Sequence, residues 1–169
     1  EERAFVFWSY VAAHAPSRDI RVAAERMAKE ELGHVATLRR ERRRAFHAER
    51  RAGPKAKADL PALEIRLAEH LERIAAAPGG GAVPGLLEAA GEARDRAAAL
   101  SATPFAGTPL LDNLPNLASG HAVSLCEFLL DCYLDLAERE RQEVPRMRAQ
   151  ACAGELIACL QRLRAVSTS

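Results

Sequence analysis

The chain has 169 residues, of which 49% are apolar and 28% charged, with a formal net charge of +1 at neutral pH. This suffices for one well-cored domain, and so small a net charge sets up no global field for nucleic acid or a membrane surface. Alanine, leucine, arginine and glutamate dominate and no alternating run stands between turn signals, so the expected fold class is all-α.

The first expected helix runs from Glu1 to about Ala15, with Ala4, Phe5, Trp8, Val11 and Ala12 on one face. The chain opens in mid-pattern on a glutamate rather than a methionine, so the visible start is not expected to be the translational one and leaves room for a targeting segment. Pro16-Ser17 breaks the helix, and Ser17 or Asp19 can cap the next. That second helix extends towards Gly53-Pro54, a clear stop. Ile20, Ala24, Met27, Ala28, Val35 and Leu38 recur at three- and four-residue steps and mark one buried stripe. Glu31 and His34 fall in that stripe, because residues three apart share a helix face. Glu30 points about 100° away, towards Arg26 and solvent. An ionised carboxylate in an apolar face is costly unless paired. Imidazole and carboxylate both ligate first-row metals, so a metal ion is a natural partner. A histidine bonded to Glu31 or to a backbone carbonyl is the structural alternative.

The stretch 52–118 differs in character. Leu60, Leu63, Leu67, Leu71 and Ile74 mark one amphipathic helix, ended by Pro78 and three glycines; Leu86, Leu87, Ala90, Ala93, Ala97 and Leu100 mark a weaker one. Thr103–Leu117 holds three prolines and reads as an extended loop, so the whole stretch is expected to be an elaborated crossover. A third long helix follows from about Ser119 to Arg141, with Val123, Cys126, Leu130, Tyr133, Leu134 and Ala137 inward. Its second apolar face (Leu125, Phe128, Leu129, Cys132, Leu136) points to a homodimer, unless the crossover covers it. Pro145 opens a last helix ending near Val166. The expected domain is thus 1–169, a hairpin (1–51), a crossover with extra helices (52–118) and a second hairpin (119–166).

Cys126, Cys132, Cys152 and Cys159 form no Cys-x-x-Cys pair, which excludes a zinc ribbon or rubredoxin-type iron site. They are expected as small buried residues in a reducing compartment, which places the protein in the cytoplasm. No apolar run reaches the roughly 18 residues that span a bilayer.

Two hairpins joined by one long crossover, with inward carboxylates, form the ferritin-like four-helix plan, which takes a glutamate from each of two helices and Glu-x-x-His from the other two. Glu1-x-x-Ala4-x-x-x-Trp8 followed by Glu31-x-x-His34 resembles the rubrerythrin family, whose phrasing is Glu-x-x-Ala-x-x-x-Tyr and Glu-x-x-His; Trp8 replaces the tyrosine. Glu2 competes with Glu1 but fits the helical phase less well. The second half repeats the theme in degenerate form. Glu127 and Glu155 stand twenty-eight positions apart against thirty for Glu1 and Glu31, but Ala158 occupies the expected histidine position. The tyrosine spacing would also put Cys126, not Glu127, at the family glutamate.

The resemblance implies a non-haem di-iron carboxylate protein reacting with peroxide or oxygen. Glu31 would bridge, Glu1 and His34 would serve one iron, and Glu127 and Glu155 the other, with water, Cys159 or His121 filling the place left by Ala158. Iron is the implied metal, with manganese or zinc open by ligand type. The rubredoxin-like cysteines are absent, so redox turnover would need an external electron donor. The alternative is a metal-free bundle acting in assembly or partner binding, in which Glu31 pairs with His34, and Glu155 with an arginine such as Arg148 or Arg162. A third reading, a hydroxylase on a large substrate such as RNA, draws on the basic stretch from Arg39 to Lys57. Arginines near a helix C-terminus are ordinarily solvated, and only Phe46 offers base stacking, so nucleic acid is not an expected partner.

Overall fold

A computed structural model describes residues 2–49, 59–77, 85–113 and 121–166, with the side chains of 43–49 and 113 excepted. The described residues form helices and connections, with no strand among them: α1 (Glu2–His14), α2 (Arg18–Glu49), α3 (Leu60–Ala76), α4 (Leu86–Ala102), a short 3-10 turn (Pro109–Asn113), α5 (Ala122–Arg139) and α6 (Glu143–Val166). The all-α expectation holds. No helix among the described residues is long and apolar enough to cross a membrane. The expected stops at Gly53-Pro54 and at Pro78 with its glycines lie outside the described residues, as do Pro115 and the basic side chains from Arg43 to Lys57.

The chain gathers into two compact units, residues 1–53 and 54–169. In the first, α1 packs along α2 as an antiparallel hairpin. Ser17 caps α2 as expected, its hydroxyl accepting a hydrogen bond from the Ile20 amide at 3.4 Å. The buried side of α2 is Ala24, Ala28, Leu32, Val35 and Arg39, whereas Ile20 and Leu38 are exposed and Met27 is half-buried. The expected stripe is therefore rotated. The small residues Ala24 and Ala28 lie on the buried side, so the mean apolar direction of this 32-residue helix is not its buried one. Arg39 Nη1 donates to Glu2 Oε1 at 3.2 Å, tying the start of α1 to α2.

The second unit is built from two antiparallel pairs, α3 with α4 and α5 with α6, with α3 packed on α5 and α4 on α6. Residues 60–102, expected within a crossover, thus supply half of the helical core around α5 and α6. Leu67 and Leu71 from α3, Ala93 from α4, Leu129 and Leu130 from α5, and Leu156, Ile157 and Leu160 from α6 are fully buried. Alanines at 89, 90, 93, 97, 149 and 153 thin α4 and α6 where they meet their neighbours. On α5, Leu125, Leu129, Cys132 and Leu136 are buried and Phe128 is half-buried. The face expected to dimerise is thus covered within this unit, the alternative already open from the sequence.

Of the expected loop, residues 103–108 are irregular and pinned down. Thr108 Oγ1 donates to Asp135 Oδ2 at 2.7 Å, and Arg148 donates to the carbonyls of Ala99 and Thr103 at the end of α4 while its guanidinium lies 4.3 Å over the Phe105 ring. At the other end of α4, Gly85 holds φ +88°, and an added Cβ would meet Arg162 Nε at 3.0 Å. That nitrogen belongs to a side chain already held by the Gly85 carbonyl and Glu88. Gly85→Ala is expected to destabilise this unit by about 1–2 kcal/mol, mostly from the left-handed backbone. A urea midpoint unchanged from wild type would contradict this.

Candidate functional site

Two places hold the charged groups that matter. The first is on α2, where Glu31 Oε2 lies 3.4 Å from His34 Nδ1. The two side chains meet because three residues turn the helix back to nearly the same direction. The Glu31 side chain is 17% exposed and that of His34 is 62% exposed, so the pair sits at the edge of the hairpin rather than in its core. The rotation of α2 puts it there. Glu1 lies outside the described residues.

The second is inside the α3–α6 unit. Glu64 sits among Leu60, Leu63, Leu67 and Leu71 on the buried side of α3, and its side chain is 0% exposed. Arg96, among Ala93, Ala97 and Leu100 on α4, has a side chain only 5% exposed. The guanidinium grips the carboxylate in a fork, Nε to Oε1 at 3.0 Å and Nη2 to Oε2 at 2.9 Å. The Tyr133 hydroxyl donates a third bond to Glu64 Oε1 at 2.7 Å. The remaining nitrogen, Arg96 Nη1, donates to Glu155 Oε2 at 2.9 Å. All four helices of the unit therefore contribute to one network, from Glu64, Arg96, Tyr133 and Glu155.

Burial opposes the charge of Arg96, but the hydrogen bonds and charge of Glu64, with the bond to Glu155, outweigh it and hold the proton more firmly than in an ordinary arginine. Burial, and then the negative charge of Glu64, push the Tyr133 phenol well above its usual range. The tyrosine is thus a fixed donor and the arginine a fixed cation. With every nitrogen of Arg96 facing an acceptor, the arrangement orients helices, as buried hydrogen-bonded pairs do.

The other expected ligands are engaged elsewhere. Glu127 on α5 accepts from Arg164 Nη2 at 3.3 Å. Glu155 on α6 is 45% exposed at its side chain and bound to Arg96, whereas Arg148 and Arg162, the arginines expected for it, serve α4 and the turn before it. Ala158 is half-buried, and His121 lies exposed at the residue preceding α5. The structure brings Glu31 to His34 and gives Glu127 and Glu155 separate arginines, in the other compact unit. Among the described residues no group of three or more His, Cys, Asp or Glu side chains could hold a metal ion.

Sequence reasoning missed Glu64 and Arg96. The available signal was an acid and a base each centred in the apolar stripe of consecutive helices, where neither is tolerated without a partner. No protein-family model, curated protein or solved structure matches this chain.

Proposed function

We propose that this chain is a metal-free helical protein that works by association, its α1–α2 hairpin pairing with that of a second copy. The observation that carries this reading is that α1 buries none of its residues, although it holds Phe5, Phe7, Trp8 and Tyr10, half of the chain's aromatic side chains. Phe7 and Tyr10 are exposed, as are Ile20, Val22 and Leu38 on α2. Aromatic residues on a surface are typical of interface anchors. A second copy would turn two helices into four around a two-fold axis, the smallest arrangement that encloses such a stripe. The N-terminal half of α2 mixes signs (Arg18, Asp19, Arg21, Glu25, Arg26, Lys29 and Glu30) and so suits a self-complementary rim.

In this reading the rubrerythrin-like spacing of Glu31 and His34 is the remnant of a ferritin-like ancestor, and a cytoplasmic setting goes with it. The commitment of Glu127 to Arg164 and of Glu155 to Arg96 supports the loss of the metal. Sedimentation of the intact chain is expected to show a dimer. Phe7→Glu with Tyr10→Glu is expected to weaken it by about 2 kcal/mol or more, roughly 30-fold in Kd, with the helical content of α3–α6 retained. A wild-type chain that stays monomeric at high concentration removes this reading.

A second reading keeps iron, manganese or zinc on the protein, with an external electron donor if it is redox-active. What favours it is the contact between Glu31 and His34, two ligand types side by side. Elemental analysis of untagged protein from iron-supplemented cells tests it. About two metal ions per chain, as a di-iron plan requires, lost in Glu31→Ala, would establish this reading and overturn the metal-free one.

A further inference from the structure

Residues 103–112 leave the end of α4, run against α5 and are held at two places. At the first, Arg148 Nη2 on α6 donates to the Thr103 carbonyl at 2.6 Å, and its guanidinium covers the Phe105 ring at 4.3 Å. The Phe105 ring in turn meets the Tyr133 ring edge to face, with centroids 6.1 Å apart. At the second, Thr108 Oγ1 donates to Asp135 Oδ2 at 2.7 Å and accepts from the Leu110 amide at 3.3 Å. The Thr108 carbonyl accepts from the Leu111 amide at 3.2 Å. Between the two places the chain is bare. Ala106 and Gly107 are exposed, and a Cβ added at Gly107 would meet no described heavy atom within 4 Å.

From this arrangement we infer that residues 103–112 are a strap that opens as one unit while the four helices stay folded, and that its closing seals the Tyr133–Glu64 contact from water. Phe105 stands against the ring whose hydroxyl holds the enclosed Glu64 carboxylate. Tyr133 and Glu64 are both fully enclosed, so water reaches their hydrogen bond only when a cover moves. The strap is the weakest-held cover. The helices are joined by enclosed leucines and by the fork between Glu64 and Arg96. The strap brings only half-buried apolar side chains, Phe105, Leu110 and Leu111. Segments with few enclosed apolar contacts open at a lower free energy than the core around them. Pro104 and Pro109 fix their own φ and restrict residues 103 and 108, which limits piecemeal deformation and favours release as a unit. Arg148 and the Thr108–Asp135 bond are its two latches.

Hydrogen exchange of the intact chain, followed by NMR in a low-urea series, tests this. The Leu110 and Leu111 amides report on the strap, the Tyr133 hydroxyl proton on what it covers, and the Leu130 and Leu160 amides on the helical core. The three strap-linked protons are expected to exchange faster than the core amides and with a much shallower dependence on urea. Arg148 acts at the 103–105 end, whereas the two strap amides report at the 108–111 end. Arg148→Ala is nevertheless expected to speed all three protons together by about tenfold or more, the loss of a charged hydrogen bond. Gly107→Ala meets nothing in the closed strap and restricts the open one, so it is expected to slow them by about two- to five-fold. The wild-type series and Gly107→Ala decide the matter even where Arg148→Ala fails to fold. Strap amides that exchange with the rate and urea dependence of the core would show that the strap opens only on global unfolding. Leu110 and Leu111 unmoved by Arg148→Ala would show that the two ends open separately. A Tyr133 hydroxyl proton that follows the core, or exchanges freely in wild type, would show that the strap does not seal it. Each of these results overturns the inference.

Discussion

Replacing Arg96 with methionine is expected to destabilise the α3–α6 unit by about 3–5 kcal/mol at neutral pH, the size of effect seen when one partner of a buried ion pair is removed. Glu64 has no exposed surface through which water could replace the lost fork. Tyr133 alone remains to hydrogen-bond it. Glu155, by contrast, is 45% exposed at its side chain and can be rehydrated, so the loss falls mainly on Glu64. Glu64→Leu combined with Arg96→Met should recover much of the loss, because neither charge is left stranded. Adding Tyr133→Phe removes the orphaned hydroxyl and should bring stability close to wild type. Urea titrations of the four proteins measure all of this. A single-variant cost below about 1 kcal/mol would show that the network does not hold the unit as its geometry requires.

Much of the helix layout was legible in the sequence. Leu60, Leu63, Leu67 and Leu71 line the buried side of α3, and Leu86, Ala90, Ala93, Ala97 and Leu100 that of α4, because the 3.6-residue period survives wherever one side of a helix is enclosed. Partnership between helices was less legible. A period says that a helix has a buried side, not which helix buries it, and so α3 and α4 read as a crossover. Alanine misled in a related way. Glu155 stands one turn from both Ala151 and Ala158 on α6, yet Ala151 is exposed, Ala158 half-buried and Glu155 exposed. Alanine is the best helix former whether or not it is covered, so it carries propensity more than burial. On α2 the opposite happened. Ile20 and Leu38 drew the stripe towards themselves, while the residues actually buried are Ala24, Ala28 and Leu32. The candidate site shifted accordingly. Glu31 and His34 do meet, but at an edge, and the enclosed charges are Glu64 and Arg96, which become a recognisable pair only once α3 and α4 are known to be neighbours.

Cutting the chain between its two units should give fragments of very different character. Residues 54–169 have a core drawn from four helices, with leucines of α3, α5 and α6 fully enclosed and a hydrogen-bonded network joining all four. This fragment is expected to keep its helical circular dichroism and a cooperative melt. In residues 1–53 the described packing is that of α1 along α2. The 13 residues of α1 are at the length where an isolated helix is marginal in water, about 12–15 residues, and a chain this short has little apolar surface to bury by itself. The peptide should therefore be largely unfolded when dilute. Its helicity should rise with concentration as hairpins pair, because association is then what encloses Phe7, Tyr10 and the exposed side of α2. Circular dichroism over a hundredfold dilution series, with sedimentation at the same concentrations, separates the possibilities. Helicity that tracks dimer content would tie the folding of the hairpin to its partner. A dilute monomeric peptide with full helicity and a cooperative melt would show instead that α1 and α2 suffice for each other, and the aromatic side chains of α1 would no longer argue for a second copy.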